Sequence, residues 1–454
     1  MLMSWVAEPL LTGPGAGGYM LVAGFAGHPV VLDFFVAAPG AGRDASGPRP
    51  ELTPVVVNFG DAVQVFNCGA ASVGVPGCPA GIGAAMARWG TRRLASLAAP
   101  AAVAARDGVE VNAAQGHLFD LLEAILGSTP EAVREFGGGR PARFASPALA
   151  ETIELLGREG ADPFYRGAVA DAIVDWLAPR GGLLTREDLA GYAAVLRAPV
   201  WTRYRGRTVV TNPPPSAGGT LIALALALLD RAGGPPGAVE LAAAMRRAQD
   251  ERTDAFVAGL DEPGFAHRFL GSRLGATTHI SVVDGEGRAC SVTCTNGEGS
   301  GVVVPGTGIH LNNIMGEEDL NPLGFHVFAP GRRMPSMMAP TVVLRDGEVE
   351  LVVGSAGSNR IRSAILLTIV GVVDRGLDAR AAVEAPRIHY EDGTVYVEPG
   401  IDADALAAAG HEVAPFRAPN LFFGGVQAVQ RDPATGAVLG AGDPRRGGAA
   451  VAVP

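Results

Sequence analysis

The chain has 454 residues, 48% of them hydrophobic, with 63 Gly and 34 Pro, which is ample for a large core. Its formal net charge is −10 and its pI about 5.4, and it carries no basic stripe, so the balance speaks against a nucleic-acid partner. All 36 basic residues are Arg, which excludes a P-loop, a pyridoxal Schiff base and a Ser-Lys dyad for want of a lysine.

In chain order, residues 19–38 predict two strands around the turn Ala26-Gly27-His28-Pro29. Residues 79–125 and 145–196 are Ala- and Leu-rich with helical spacing, and Thr185 with Asp188 three residues on reads as a capping box after Gly181-Gly182. Pro213-Pro214-Pro215 is a break that sets up a helix over 219–231, and a further helix is expected over 239–257. From Thr277 strands dominate: 277–284, 288–295, 308–313, 340–345 and 349–354, then a helix at 360–375, then strands at 386–398 and 425–441. Nothing between the helical first half and the strand-rich second half reads as a linker, so one structural domain is expected.

The longest apolar runs, such as Leu221–Leu229, fall far short of the ~20 residues that span a bilayer. The N-terminus lacks a basic region and a small-residue cleavage site, so the sequence as given is expected in the cytoplasm with no membrane partner. Cys68, Cys78, Cys290 and Cys294 form no CxxC pair and have no His at metal spacing, so small buried hydrophobes are expected, with no disulfide and no metal.

The stretch Thr277–Thr295 carries the chemistry. A hairpin turn centred on Glu286 places Ser281 opposite Ser291, His279 opposite Thr293 and Thr277 opposite Thr295. With period two, these six side chains share one face. The pattern by itself also fits a Thr-rich exposed strand. A Thr hydroxyl is a poor nucleophile without a base, and no Asp-His pair is placed to serve it. A Thr at the head of a chain can use its own α-amine instead. That chemistry requires cleavage between Ala276 and Thr277, and the preceding segment 271–276 (GSRLGA) is small and loop-like, suited to an exposed processing site.

The segment from Thr277 to Thr295 resembles the start of the small subunit of gamma-glutamyltransferases (gamma-glutamyltranspeptidases), which are N-terminal nucleophile hydrolases. The segments SVGVPGCPAGIGAAMARWGT, YRGRTVVTNPPPSAGGT, GIHLNNIM, MMAPTVV, APRIHY and GAGDPRRGGAA look like family segments in family order, so the likeness covers nearly the whole chain. The resemblance implies an α+β fold, an αββα four-layer sandwich, made as one precursor. It implies a large-subunit-like segment 1–276 and a small-subunit-like segment 277–454, which stay associated as one domain after self-cleavage. It implies Thr277 as nucleophile with its freed amine as base, and Thr295 as its hydrogen-bond support. The oxyanion hole falls on Gly357 and Ser358, where the family has a Gly-Gly pair. No cofactor is implied, and the partner is a small-molecule substrate.

Departures from the family pattern lie in the acyl pocket. Phe35 stands where the family has the carboxylate-binding Arg, Ile314 where it has a Gln and Glu317 where it has an Asp. Ser336-Met337 replaces a Ser-Ser pair. The loop after Thr295 is two residues shorter, leaving Asn296 or Gly297 at the place of a substrate-binding Asn. Family members also carry a first strand and helix ahead of the segment where this sequence begins; either the start is misassigned or this lineage lost an element. A pocket without its carboxylate clamp discriminates poorly for glutamate. The expected activity is that of an autoprocessing hydrolase or acyltransferase on a non-glutamyl amide, or on a C–C bond next to a carbonyl in a biosynthetic pathway. The alternatives are an ordinary gamma-glutamyl hydrolase/transferase and a non-catalytic remnant of the family.

Overall fold

A computed structural model of the chain describes residues 1–25, 27–43, 50–58, 63–251, 277–321 and 323–453. The expected processing segment up to Ala276, the turn residue Ala26 and the far end of the helix expected over 239–257 lie outside the described residues. Two compact units divide the chain, each drawn from three separate stretches. The first takes Met1–Gly18, Asp33–Val195 and Cys294–Met334; the second takes Tyr19–Leu32, Leu196–Thr293 and Pro335–Pro454.

The first unit is built on helices, among them Cys78–Trp89, Leu94–Asp107, Pro147–Glu159 and Ala168–Leu177. Their starts follow from local chemistry. Ser146 Oγ accepts the Leu149 N–H at 3.0 Å, with Pro147 in the first turn where its missing N–H costs nothing. Thr185 and Asp188 form the expected capping box, and the same Asp188 carboxylate accepts the N–H groups of Gly40 and Ala41 at 2.7 and 2.9 Å. One buried carboxylate thus starts a helix and ties down a distant loop. The strand expected over 308–313 shrinks to Ile309–His310. The Asn312 side chain leaves the ladder: it accepts the Gly74 N–H and donates to the carbonyls of Gly15 and Gly74.

One sheet, most of whose residues belong to the second unit, takes, in order, the strands Thr278–Val283, Ala289–Thr295, Gly17–Ala23, Val30–Phe34 and Val195–Arg197. A six-stranded sheet runs in the order Val438–Gly442, Gly425–Arg431, Glu348–Ala356, Thr341–Arg345, Arg207–Thr211 and Val200–Tyr204. One face of the six-stranded sheet, through Val209, Val343, Leu351, Val353 and Ala428, shares a buried core with the helices Gly218–Ala232, Ala238–Asp250 and Arg360–Val373. Its other face meets the hairpin Thr278–Thr295, whose His279 ring packs over Gly354. Helices and sheets are therefore mixed in one chain, an α+β protein.

The strands Val200–Tyr204 and Arg207–Thr211 were not expected from the sequence. They join through Arg205 (φ +46°) and Gly206 (φ +77°), and the segment expected as one strand over 386–398 turns the same way at Asp392 (φ +48°) and Gly393 (φ +91°). Two consecutive left-handed residues are the tight turn whose twist matches a hairpin. Likewise 425–441 is two strands, Gly425–Arg431 and Val438–Gly442.

A buried ionic cluster closes this unit. Arg387, 2% exposed, pairs with Asp443 and donates to the carbonyls of Val383, Phe423 and Gly424. Arg445 donates to Glu398 at 2.7 Å and to Asp443 at 3.3 Å, and Glu398 also accepts the N–H groups of Arg387 and Asn420. Every charge has an opposite charge and most remaining donors find backbone carbonyls, which is what makes burial of four charges tolerable.

Candidate active site

The hairpin is the start of the site. The Asp284 N–H donates to the Arg288 carbonyl at 3.0 Å, and His279 Nδ1 lies 2.8 Å from Thr293 Oγ1, both as expected for a turn centred on Glu286. Thr277, His279, Ser291, Thr293 and Thr295 are buried and Ser281 half-buried, which overturns the alternative of an exposed Thr-rich strand. Ser281 Oγ donates to the Gln427 carbonyl and Ser291 Oγ to the Val353 carbonyl, so each needs a donor for its own lone pair. His279 Nε2, at 3.0 and 3.4 Å from the two hydroxyls, supplies it; Nδ1 then accepts from Thr293. The ring is neutral in this network, and burial pushes its pKa down to about 3.

At the head of this satisfied ladder stands Thr277. It is 1% exposed, and its Oγ1 has no hydrogen-bond partner among the described residues. A buried hydroxyl left unpaired costs free energy and calls for a reason.

The second unit also holds Gly357 and Ser358, at the end of the Glu348–Ala356 strand and before the helix Arg360–Val373. Gly357 has φ +116°, and a Cβ there would lie 2.6 Å from Gly424 Cα, so only glycine fits. Ser358 takes the left-handed region at φ +60°, where a side chain is strained by roughly 1–2 kcal/mol. Their carbonyls accept from Arg360 and Ile361, whereas the N–H groups of Gly357, Ser358 and Asn359 donate to no described residue. Consecutive free N–H groups at a helix N-terminus form a concave anion site. Ser336 is buried and its Oγ accepts the Met338 N–H at 3.0 Å; Met337 lies in the apolar core of this unit.

In the first unit, Thr295 Oγ1 accepts the Gly297 N–H at 2.8 Å. Gly297 has φ +64°, and a Cβ on it would fall 1.9 Å from Glu317 Oε1 and 2.0 Å from Asn313 Oδ1. Glu317 and Asn313 therefore converge beside Gly297. Asn313 donates its N–H to the Asn296 carbonyl at 3.0 Å. Asn296 and Asn313 are both fully buried, and neither amide has a partner among the described residues. Asn313 carried no sequence signal beyond its place in LNNIM. Phe35 and Ile314 are fully buried. Phe35 gives its N–H to Asp33 and its carbonyl to the Tyr192 hydroxyl at 2.8 Å. Asp33 also holds the Arg333 guanidinium at 3.2 Å. Cys68, Cys78 and Cys294 are buried and Cys290 is half-buried; burial, aided by Glu298 and Glu317, pushes the Cys68 thiol up to about 12, so it is no nucleophile.

The family model for gamma-glutamyltranspeptidase matches residues 1–262 and 265–453. The chain belongs to the gamma-glutamyltranspeptidase family. Among curated relatives, the acylase ACY 1 proenzyme of Pseudomonas sp. (strain SE83) is 32% identical over 99% of this chain and 87% of its own length. The glutathione hydrolase proenzyme of Escherichia coli (strain K12) is 30% identical over 97% of this chain and 84% of its own. The crystal structure of cephalosporin acylase from Bacillus halodurans superposes with a TM-score of 0.82 at 25% identity, covering 99% of this chain and 89% of that one. These are N-terminal nucleophile hydrolases, and the chain is a hydrolase/transferase of that kind. Among the described residues of this gamma-glutamyltranspeptidase-family chain no helix is long and apolar enough to cross a membrane.

Proposed function

We propose that this chain is an autoprocessing N-terminal-threonine hydrolase or acyltransferase acting on a non-glutamyl amide. The observation that carries the reading is the buried, unpartnered Thr277 hydroxyl at the head of a hairpin face on which the Ser281, Ser291, Thr293 and Thr295 hydroxyls are all engaged. Cleavage between Ala276 and Thr277 yields 1–276 and 277–454, which stay together as one αββα four-layer sandwich. The pairing of His279 with Thr293 and of Asp284 with Arg288 supports Thr277 standing opposite Thr295.

The freed α-amine of Thr277 takes the hydroxyl proton as Oγ1 attacks the acyl carbonyl. The N–H groups of Gly357 and Ser358 receive the developing oxyanion. Collapse breaks the C–N bond, the proton passes to the departing amine, and water or a second amine then takes the acyl group from Thr277. At the positions that the family resemblance gives to the acyl pocket, Phe35, Ile314 and Met337 are apolar, and Asn296, Gly297, Glu317 and Ser336 are the polar handles. An α-carboxylate would be buried there without its fork of donors, at a cost of several kcal/mol. Apolar acyl groups with at most one basic or polar handle fit better, and the similarity to an acylase supports this. A second reading, a gamma-glutamyl hydrolase, draws on the convergence of Glu317 and Asn313, acceptors suited to an α-ammonium.

One experiment tests both readings. Intact mass and N-terminal sequencing of the purified protein are expected to give two fragments with Thr277 leading the second, and Thr277→Ala is expected to stay one inactive chain. The processed protein is then offered a γ-glutamyl anilide and anilides of apolar acids. Efficient turnover of the first selects the gamma-glutamyl reading; a single uncleaved wild-type chain overturns both.

A further inference from the structure

Asn is among the strongest helix N-caps, because its side-chain oxygen accepts an N–H of the first turn. Asn359 occupies the N-cap position of the 14-residue helix Arg360–Val373 and does not cap it. Its own φ and ψ, −53° and −32°, are helical, and its side chain makes no cap hydrogen bond. Only the Asn359 carbonyl is engaged, accepting Arg362 Nε at 3.3 Å.

The side chain is nevertheless buried. Asn359 is 1% exposed, and both Nδ2 and Oδ1 are without a partner among the described residues. An orphaned buried amide is destabilising, because it gives up its hydrogen bonds to water and regains none. Solvent does not reach it to pay that cost back. The adjoining N–H groups of Gly357, Ser358 and Asn359 are unused too, and Ser358 is held at φ +60°. Five hydrogen-bonding groups on three consecutive residues thus stand idle at one helix N-terminus, where the helix dipole favours negative charge. Strain and unpaired polarity gathered at one place are the mark of a surface shaped for a ligand.

We propose that Asn359 is a further catalytic residue: its side-chain Nδ2–H hydrogen-bonds the acyl carbonyl oxygen as it becomes the oxyanion, beside the backbone donors of Gly357 and Ser358. The inference rests on the Thr277 reading and adds a side-chain donor to it. Removing one such donor typically slows acyl transfer by about 10²–10³-fold. Because the donor acts on the transition state, the loss falls on kcat and leaves KM nearly unchanged.

The test measures acylation of Thr277 by p-nitrophenyl acetate, followed as nitrophenolate burst and as an acyl adduct by intact mass. Wild type, Asn359→Leu and Asn359→Ala are compared, with thermal midpoints taken alongside. Asn359→Leu is nearly isosteric and removes an unpaired amide, so its midpoint is expected to equal or exceed that of wild type. Its acylation rate constant is expected to fall by about 10²-fold or more. Asn359→Ala is expected to lose as much rate, which decides the matter if leucine does not fit. An adduct forming at equal rates in wild type and both variants overturns the inference alone. So does a lowered midpoint in both variants with rates restored on cooling, which marks a structural amide. Absence of any Thr277 adduct in processed wild type overturns the reading and the inference together.

Discussion

Two polar regions of the second unit differ in what their buried groups do. In the cluster of Arg387, Asp443, Arg445 and Glu398, charges meet opposite charges and backbone carbonyls fill most of what remains. In the loop Gly357–Asn359, three backbone donors and a buried side-chain amide have no partner among the described residues. The hairpin shows the same contrast within a few residues, from the saturated His279 network to the orphaned Thr277 hydroxyl. Paired polar groups hold the fold, whereas unpaired ones weaken it. Substitutions in the first class should therefore lower stability, and in the second activity.

The largest effect is expected at Asp443, whose carboxylate pairs with Arg387 and accepts the N–H groups of Val426 and Arg445 at 2.9 Å. Asp443→Ala leaves the buried Arg387 guanidinium without its counter-charge, while Arg445 keeps Glu398, at a cost of about 3–5 kcal/mol. The urea midpoint reads it, and a midpoint within error of wild type would break the contrast at its stronger end.

A smaller effect tests the hairpin through pH. The folded pKa of His279 is lowered by burial from 6.5 to about 3. Between those values the unfolded chain binds a proton that the folded chain does not, so stability is full above about 6.5 and is lost as pH falls. The slope approaches about 1.4 kcal/mol per pH unit for each such histidine. His310, pushed down by burial to about 4, adds its own share. His279→Asn should remove one share of that slope in urea midpoints taken from about pH 7 to about pH 4. An unchanged slope would mean that the ring is not held neutral.

The smallest stability effect is expected at Asn313. Its amide is buried and unpartnered, so Asn313→Leu should shift the urea midpoint by the equivalent of no more than about 1 kcal/mol, in the favourable direction. A loss of several kcal/mol would place Asn313 with the fold-holding groups and sharpen the contrast in the opposite sense.

Much of this was legible beforehand. Period-two alternation placed His279 across from Thr293 and set one hydroxyl face, because strand side chains alternate whatever they pack against. Thr185 and Asp188 announced their capping box through spacing alone. The turns at Arg205-Gly206 and Asp392-Gly393 are also written in the sequence, as residue pairs able to take two left-handed conformations in succession.

By itself, then, the sequence determined the family and the hairpin register, both of which depend on local pattern. Tertiary structure decided which polar groups are satisfied. Whether the hydroxyl ladder faces solvent depends on a second sheet whose strands lie far along the chain. Whether Asn359 caps its helix depends on where its side chain is buried, and no spacing of residues encodes that. The same holds for the convergence of Glu317 and Asn313 on Gly297, made by a left-handed turn and an absent Cβ. Hydrogen-bond satisfaction is a property of three-dimensional neighbours, so the fold alone separates the polar residues that hold it from those that await a substrate.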